Sequence, residues 1–583
     1  MKDFIKHIFA SFVGVVLAGI LFFIIGVVSL TGLLISSDTQ TIVNDSSVFV
    51  LKLEGNLQER VNENPIQELL GDEYQSYGLD DILSSIEKAQ QDKRIKGIYL
   101  EPSYLECSFA SIEEIRNALI KFKNSGKFVI SYADQYTQNM YFLASVSDQL
   151  IINPVGTISW HGLSAQPIFY KEFLDKIGVE MQIFKVGTYK SAVEPFNSTH
   201  MSNANREQTQ ANLQSIWNTI KQSVSVSRHL PAEQLNAYAD QPLDFKQAKE
   251  YKDLGMVDTL MYKNEVISYL KLLTGRAPYE DLNQLSLKDM INLPLNTIKK
   301  NSTIAVYYAF GDIDNGTSGE SGINSRKVIK DLQKLREDKN IKAVVLRVNS
   351  PGGSAYGSEQ IWDEVQKTKS VKPIIVSMGD YATSGGYYIS CAADYIVANP
   401  TTLTGSIGIF GMIPNLEELM TEKIGLHSDL VKTNKFSDIG NFTRAINKDE
   451  KEALQNQVNN GYKLFIKRCS DGRELPVESI EKIAEGRVWT GESALKIGLV
   501  DELGDLNKAI QIAAEKAGIQ NFTIKSYPEK ENFLLTLLNK ETENYIQQRI
   551  TNFLGSYAKI PNINTIQKAD PIQARLPFEL GIK

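Results

Sequence analysis

Two segments of the chain align without a gap: RIKGIYLEPSYLECSF, residues 94–109, and NIKAVVLRVNSPGGSA, residues 340–355, which lie 246 positions apart. The same offset persists downstream, where Ser131 matches Ser377. Chance does not hold one register over so many residues, and self-similarity at a fixed offset is the signature of a repeat architecture. The sequence therefore predicts a tandem duplication.

Both copies predict the same fold class. Each opens with an apolar run, VFVLKLEG from Val48 and IAVYYAFG from Ile304, and then alternates amphipathic helical patterns with short apolar strands. This alternation is typical of an α/β fold around a parallel sheet. We predict five parts: an N-terminal segment with a transmembrane helix, a first half, a linker that contains Pro294, a second half and a C-terminal helical tail, at residues 1–40, 47–280, 281–302, 303–518 and 519–583.

The N-terminal segment is strongly apolar. IFASFVGVVLAGILFFIIGVVSLTGLLISS, residues 8–37, contains no charged residue, and a helix of about 20 residues spans the hydrocarbon core of a membrane. Lys2 and Lys6 precede this run, so the positive-inside rule places the N-terminus in the cytoplasm and the remaining chain beyond the membrane. A cleaved signal peptide is the alternative. The helical pattern of residues 531–558 could pack on the body of the protein, on another subunit or on the membrane.

Charge and cysteine content narrow the function classes. The formal net charge of −7 provides no basic surface for nucleic acid, which we do not expect as a partner. Cys107, Cys391 and Cys469 lack metal-ligand spacing and are too few for a disulfide framework, so we interpret them as buried thiols. No cofactor or metal is predicted.

One serine in the second half is a candidate nucleophile. Ser384 precedes two glycines and an apolar helical run in YATSGGYYIS, residues 381–390, whereas the first half has Gln138 at the matching position. A serine at the N-terminus of a helix benefits from the positive end of the helix dipole. A simple helix cap is the alternative for Ser384.

A glycine pair follows the preceding predicted strand of the second half. Gly352 and Gly353 have no glycine counterparts in the first half, and glycine lets a backbone N–H approach a ligand closely. Together with Gly385 they could stabilise an oxyanion, although a plain turn would also explain the pair.

A nucleophilic serine needs a base, and the sequence offers a lysine rather than a histidine. None of the five histidines lies in a recognisable constellation. Lys190 lies in FKVGTYKSAVEPF, residues 184–196, beside apolar residues, and its second-half counterpart is Ser437. Burial would lower the pKa of this amine and leave it neutral. Each half thus keeps one partner of a composite site, with a surface lysine as the alternative.

Four motifs together carry a resemblance: VGTYKSAVEPF, RVNSPGGSA, ATSGGYYIS and TLTGSIGIFG. The chain resembles the long, duplicated form of the signal peptide peptidase A, or protease IV, family over nearly its whole length. The resemblance implies two Clp protease/crotonase-like domains and a serine/lysine dyad, with Ser384 as nucleophile and Lys190 as general base. It also implies that Ser406 hydrogen-bonds the lysine; the first half has Trp160 at that position.

The same resemblance implies an activity and a location. We expect a membrane-anchored serine endopeptidase of the bacterial inner membrane, with a periplasmic body that degrades hydrophobic peptides such as released signal peptides. A bowl-shaped homo-oligomer, a tetramer in the family, is also implied. Two other classes stay open: a crotonase-like acyl-transfer enzyme and a non-catalytic membrane scaffold. Whether the dyad forms within one chain or between subunits is open too.

Overall fold

A computed structural model of the chain describes residues 7, 14, 16–22, 41–61, 76–294, 302–316, 322–530 and 572–575. Most of the apolar run at residues 8–37, and the helical pattern at residues 531–558, lie outside this range. Within the described residues, no helix is long and apolar enough to cross a membrane.

The first half forms an α/β unit around a parallel sheet. Its described strands run in the order β2-β1-β3-β4-β5-β7, and β8 adds to β1. Every pairing between these strands is parallel. Their bounds are Ser47–Gln58 (β1), Ser76–Gly78 (β2), Ile95–Glu106 (β3), Phe128–Tyr136 (β4), Gln149–Ile158 (β5), Thr259–Leu260 (β7) and Gln284–Leu285 (β8). Because β8 pairs with β1, part of the segment predicted as a linker packs on the first half.

The second half repeats this sheet. Its order is β18-β16-β14-β12-β9-β20, with β15 against β14 and β19 against β15. The bounds are Thr303–Phe310 (β9), Ile341–Ser350 (β12), Ile374–Thr383 (β14), Tyr395–Ala398 (β15), Leu403–Gly405 (β16), Val488–Thr490 (β18), Glu502–Leu503 (β19) and Thr523–Tyr527 (β20). Strands β3, β4 and β5 begin 246 residues before β12, β14 and β15, so the duplication is confirmed in three dimensions.

A third sheet joins the two halves. Its order is β11-β10-β13-β21-β17-β6, with the bounds Glu180–Lys185 (β6), Ile313–Asp314 (β10), Ile323–Asn324 (β11), Gly352–Ser354 (β13), Phe410–Asn415 (β17) and Ile572–Arg575 (β21). Strand β6 of the first half pairs antiparallel with β17 of the second half. The halves are therefore hydrogen-bonded to each other in the neighbourhood of the glycine pair.

Helices accompany the sheets of the two halves, in which every described pairing is parallel except that of β16 with β18. They are Leu79–Gln91 (α1), Phe109–Lys123 (α2), Gln138–Ala144 (α3), Lys171–Ile177 (α4), Glu194–Asn197 (α5), Asn203–Arg228 (α6), Ala232–Ala239 (α7), Ala248–Asp253 (α8), Lys263–Leu273 (α9), Leu287–Asn292 (α10), Ser325–Glu337 (α11), Ala355–Lys369 (α12), Gly385–Ser390 (α13), Lys448–Arg473 (α14), Val477–Ile483 (α15), Gly491–Lys496 (α16) and Leu506–Lys516 (α17). A 3-10 turn at Leu243–Phe245 and a π-helix at Leu419–Ile424 complete the helical elements described. Strands of each half and the helices against them share an apolar core, as expected for an α/β fold.

A buried cluster of ion pairs and hydrogen bonds connects the two halves. Arg347 of β12 is 1% exposed and forms ion pairs with Glu59 at 2.9 Å and Glu114 at 2.7 Å, both from the first half. Asp380 of the second half accepts hydrogen bonds from Ser111 in α2. Breaking a buried pair by removing one partner leaves an uncompensated charge, at a cost of about 3–5 kcal/mol. The cluster therefore fixes how one half sits against the other.

Candidate active site

Ser384 lies at the junction of a strand and a helix. Strand β14 ends at Thr383 and helix α13 begins at Gly385, and Ser384 between them has φ +54° and ψ −110°. A non-glycine residue at positive φ stores about 1–3 kcal/mol of strain, which persists where the surroundings hold it. Here the Ser384 N–H donates to Gly405 O at 2.7 Å. The Ser384 side chain makes no capping hydrogen bond to the helix. A role as helix cap therefore does not explain this serine.

Lys190 reaches this serine from the other half. The β6–β17 pairing ends at Lys185, and the chain continues along the second half, where Tyr189 N–H donates to Glu485 O at 2.9 Å. The Lys190 side chain is 0% exposed, and its Nζ lies 2.8 Å from Ser384 Oγ. The alternative of a surface lysine is thus wrong. The two halves meet within one chain.

The electrostatic surroundings of Lys190 favour its neutral form. Burial lowers the pKa of Lys190 well below the ordinary lysine value, and no charged group among the described residues offsets this effect. A neutral amine has two N–H donors and one lone pair. With both donors on Ser406, at 3.1 Å to its Oγ and 3.1 Å to its carbonyl oxygen, the lone pair faces the Ser384 hydroxyl. This is the arrangement that a general base requires.

Ser406 is buried and hydrogen-bonded beside Ser384 and Lys190. It lies between β16 and β17, is fully buried and has φ +51°. Its N–H donates to Arg487 O at 2.7 Å. The hydroxyl and the carbonyl of the same residue therefore both orient the lysine amine.

The three glycines predicted as oxyanion donors lie next to Ser384. A Cβ atom built on Gly385 would be 3.2 Å from Gly352 Cα, which places the glycine pair against the start of helix α13. Gly352 has φ +107°, and a Cβ built there would be 2.0 Å from Ala574 O, so a side chain does not fit. The Gly352 N–H itself donates to Ser350 Oγ at 3.2 Å. The structure brings the glycines together, and their role as donors stays a prediction.

Sequence reasoning missed the residues that pack around the lysine. A Cβ built on Gly486 would be 2.6 Å from Lys190 Cβ, so only glycine lets this turn approach the base. Gln208 of helix α6 donates to Tyr189 O and to Ser191 Oγ, both at 3.0 Å, and holds the chain on either side of Lys190. Gly486 and Gln208 lie outside the four motifs, and no periodic pattern marks them.

The matching position in the first half carries a glutamine whose side chain is fully engaged in hydrogen bonds. Gln138 takes the place of Ser384, and its side-chain amide donates to Gly162 O and accepts from Gly162 N–H, both at 3.0 Å. Trp160, in place of Ser406, is fully buried and donates its indole N–H to Leu235 O at 2.8 Å. The first half therefore keeps the fold and supplies Lys190, and it has Gln138 at the position of the candidate nucleophile.

Comparison with known proteins gives the family. The model of peptidase family S49 matches twice, at residues 121–275 and 366–520, and the Clp protease model matches residues 317–402. The chain belongs to peptidase family S49. The two matches fall one in each half, and the predicted duplicated, Clp protease-like α/β fold is confirmed.

Full-length relatives support the same assignment. The chain is 34% identical over 572 residues to Protease 4 of Haemophilus influenzae, covering 94% of this chain and 92% of that protein. It is 37% identical to Protease 4 of Salmonella typhi, with 81% and 77% covered, and 31% identical to the chloroplastic serine protease SPPA of Arabidopsis thaliana, with 82% and 70% covered. The resemblance predicted from the four motifs is confirmed, as is a serine peptidase. The assignment as a serine peptidase replaces the two alternatives from the sequence, a crotonase-like acyl-transfer enzyme and a non-catalytic membrane scaffold.

Proposed function

We propose that this S49 peptidase is a membrane-anchored serine endopeptidase that degrades hydrophobic peptides, among them signal peptides released by signal peptidase, with Ser384 as nucleophile and Lys190 as general base. One observation carries the proposal: the Lys190 amine lies 2.8 Å from Ser384 Oγ in a fully buried site. Relatives named Protease 4 and serine protease SPPA support peptide substrates.

The reaction follows from this geometry. Neutral Lys190 takes the proton of Ser384, and Oγ attacks a peptide carbonyl carbon to form a tetrahedral oxyanion. Backbone N–H groups of Gly353 and Gly385, together with Gly352 once its bond to Ser350 is released, would stabilise that oxyanion. Protonated Lys190 then gives its proton to the leaving amine, and water, activated by the same lysine, releases the acyl group.

Membrane anchoring rests on the sequence. Residues 8–37 carry no charge and exceed the length that a spanning helix needs, and Lys2 and Lys6 assign the N-terminus to the cytoplasm. In a bacterial cell this topology puts residues 41–583 in the periplasm. Carbonate extraction of cell membranes tests it: the full chain should stay in the pellet and a chain that starts at residue 41 should not.

A homo-oligomer also belongs to the proposal, as a tetramer by family resemblance. Helix α4 of the first half has no buried residue, and Phe173 on it is 60% exposed. The corresponding segment of the second half, Leu419–Ile424, ends at the exposed Ile424, and the exposed Leu426 follows it. Contact between copies would remove these apolar side chains from water. Analytical ultracentrifugation should find an assembly that Phe173→Ser weakens.

An activity assay tests the chemistry. The full chain in detergent micelles should cleave a synthetic signal peptide, and Ser384→Ala and Lys190→Ala should both abolish cleavage. Lys88→Ala is a matched control, because Lys88 also donates to two backbone carbonyls, those of Met290 and Ile291, and belongs to helix α1 of the first half. An acylating inhibitor should label Ser384. Full activity in either dyad variant would refute the proposal.

A further inference from the structure

A buried glutamine outside the dyad contacts both the lysine segment and the second half. Gln208 of helix α6 is 1% exposed. Its amide nitrogen donates to Tyr189 O and to Ser191 Oγ, both at 3.0 Å, and these two residues flank Lys190. Its amide oxygen accepts from the Val488 N–H of strand β18 at 3.2 Å. Because a backbone N–H can only donate, the amide is oriented with its own donors towards the lysine segment.

The peptide group that Gln208 binds also holds Ser406. The N–H of the peptide group between Arg487 and Val488 donates to Gln208. The carbonyl of the same group accepts from Ser406 N–H at 2.7 Å. Ser406 in turn accepts from the Lys190 amine through its hydroxyl and its carbonyl oxygen. These bonds form a closed ring, which runs from the Lys190 amine through Ser406, one peptide group and Gln208 back to the residues beside the lysine.

The backbone at Lys190 belongs to neither a strand nor a helix. It lies between strand β6 and helix α5. The Lys190 N–H donates to Gly187 O over a long distance of 3.4 Å, and Tyr189 N–H donates to Glu485 O at 2.9 Å. A misplacement of about 1 Å can lower the rate of an enzyme about 10²-fold. The bonds from Gln208 therefore add order that secondary structure does not provide at the base.

The duplicated helix provides an internal comparison. Helices α6 and α14 correspond to each other in the two halves, and each has 26 residues. In this alignment Gln208 matches Ala453, which has no amide, just as Lys190 matches Ser437. The amide is thus present in the copy of the helix that contacts the lysine and absent from the other copy.

We propose that Gln208 is a positioning residue for the general base and holds Lys190 in place against Ser384. This inference rests on the proposed function and adds a residue to its mechanism. Gln208 acts through Tyr189 and Ser191 and takes no part in proton transfer. Without the amide, Tyr189 O loses a donor, and a buried carbonyl without a donor costs free energy until the segment moves to reach water. The Lys190 amine then lies less well beside Ser384 and is better hydrated.

An apolar replacement tests this role in the full chain in detergent micelles. Gln208→Met keeps the length of the side chain and removes its hydrogen bonds, so kcat for a synthetic signal peptide should fall about tenfold with KM nearly unchanged. The rate of Ser384 acylation by a fluorophosphonate should also change its pH dependence. Its midpoint should move towards the ordinary lysine value of 10.5 by about half a pH unit or more, since hydration favours the protonated amine.

Asn212→Leu is the matched control on the same helix. Asn212 is 6% exposed and donates to Val488 O at 3.2 Å, which lies outside the ring of hydrogen bonds. Both replacements remove a buried amide, so urea unfolding should find both variants less stable. A loss of stability alone does not move a pH midpoint, so Asn212→Leu should keep the wild-type midpoint and a kcat within about twofold of wild type.

The outcomes separate this inference from the proposed function. Wild-type kcat and midpoint in Gln208→Met, or an equal shift in Asn212→Leu, would overturn the positioning role alone. If Gln208→Met does not fold, Gln208→Glu decides, because it keeps an acceptor for Val488 N–H and has no N–H for Tyr189 O; it should show the same shift, and a wild-type midpoint would overturn the role. A wild-type chain whose Ser384 is not acylated would overturn the proposed function itself.

Discussion

The two halves of the chain share one fold and differ in what fills the same position. In the second half, the junction of strand and helix carries Ser384, with Ser406 beside it; in the first half, Gln138 and Trp160 close that position with hydrogen bonds and apolar packing. The first half instead supplies Lys190 across the β6–β17 pairing. The comparison teaches that a duplicated unit can divide the two members of a candidate catalytic pair between its copies while both copies keep a complete core.

Replacing the nucleophile gives the largest expected effect. Ser384→Ala should lower kcat/KM for a synthetic signal peptide by about 10⁴-fold or more, because covalent catalysis is lost. Gln138→Ala at the equivalent position of the first half should keep kcat/KM within about twofold, since it removes only structural hydrogen bonds. An equal fall in kcat/KM for both variants would contradict the assignment of the nucleophile to the second half alone.

Replacing the proposed general base, Lys190, should lower activity nearly as much as replacing Ser384. Lys190→Arg should lower kcat by about 10³-fold or more at pH 8, because a guanidinium stays charged and cannot accept the serine proton. Lys435→Ala tests the second-half segment that corresponds to the one around Lys190; Lys435 is exposed, so activity should be unchanged. Steady-state kinetics decide, and an active Lys190→Arg enzyme would contradict the assignment.

Replacing Ser406, which hydrogen-bonds the Lys190 amine, should lower activity less than replacing either residue of the dyad. Ser406→Ala removes one of the two acceptors that orient the Lys190 amine and leaves the Ser406 carbonyl, so we expect kcat to fall by about 10- to 100-fold with KM nearly unchanged. Trp160→Phe at the matching position should instead lower the free energy of unfolding by about 2 kcal/mol or more and spare kcat, because it removes the hydrogen bond to Leu235 and leaves a cavity in the core. Denaturant unfolding measures the second effect.

The smallest predicted effect concerns stability and pH. Glu113 of α2 is buried against Thr401 of the second half, and burial raises the pKa of Glu113 to about 7. The folded state then holds a proton that the unfolded state releases near pH 4.5, so this residue makes the fold less stable as pH rises from about 5 to 7. Glu113→Gln should flatten that decline in urea unfolding. An unchanged slope would show that Glu113 is ionised in the fold.

Local sequence patterns predicted the repeated sheets well. Apolar strands alternate with amphipathic helices, and one offset relates β3 to β12 and β4 to β14, because each copy folds from nearby segments. The loss of Ser384's counterpart in one half and of Lys190's in the other also pointed to a composite site. These features depend on residue type and spacing, which the sequence displays directly.

Long-range pairing was not predictable in the same way. Nothing in the periodicity of β6 indicates that its partner is β17, more than 200 residues away, and four residues near the C-terminus carry no sign that they enter the third sheet. The close approach of Gly486 to Lys190 is equally hidden, because it depends on tertiary packing. Such contacts decide the geometry of the site and are visible only in three dimensions.

The pH dependence of Ser384 acylation by a fluorophosphonate tests most directly that a neutral amine from the first half activates the alcohol of the second. Because burial lowers the pKa of Lys190, the rate should rise with pH and level off well below the ordinary lysine value of 10.5, and Lys190→Met should abolish this rise. A rise that persists in Lys190→Met, or a midpoint near 10.5 in the wild-type enzyme, would contradict the account.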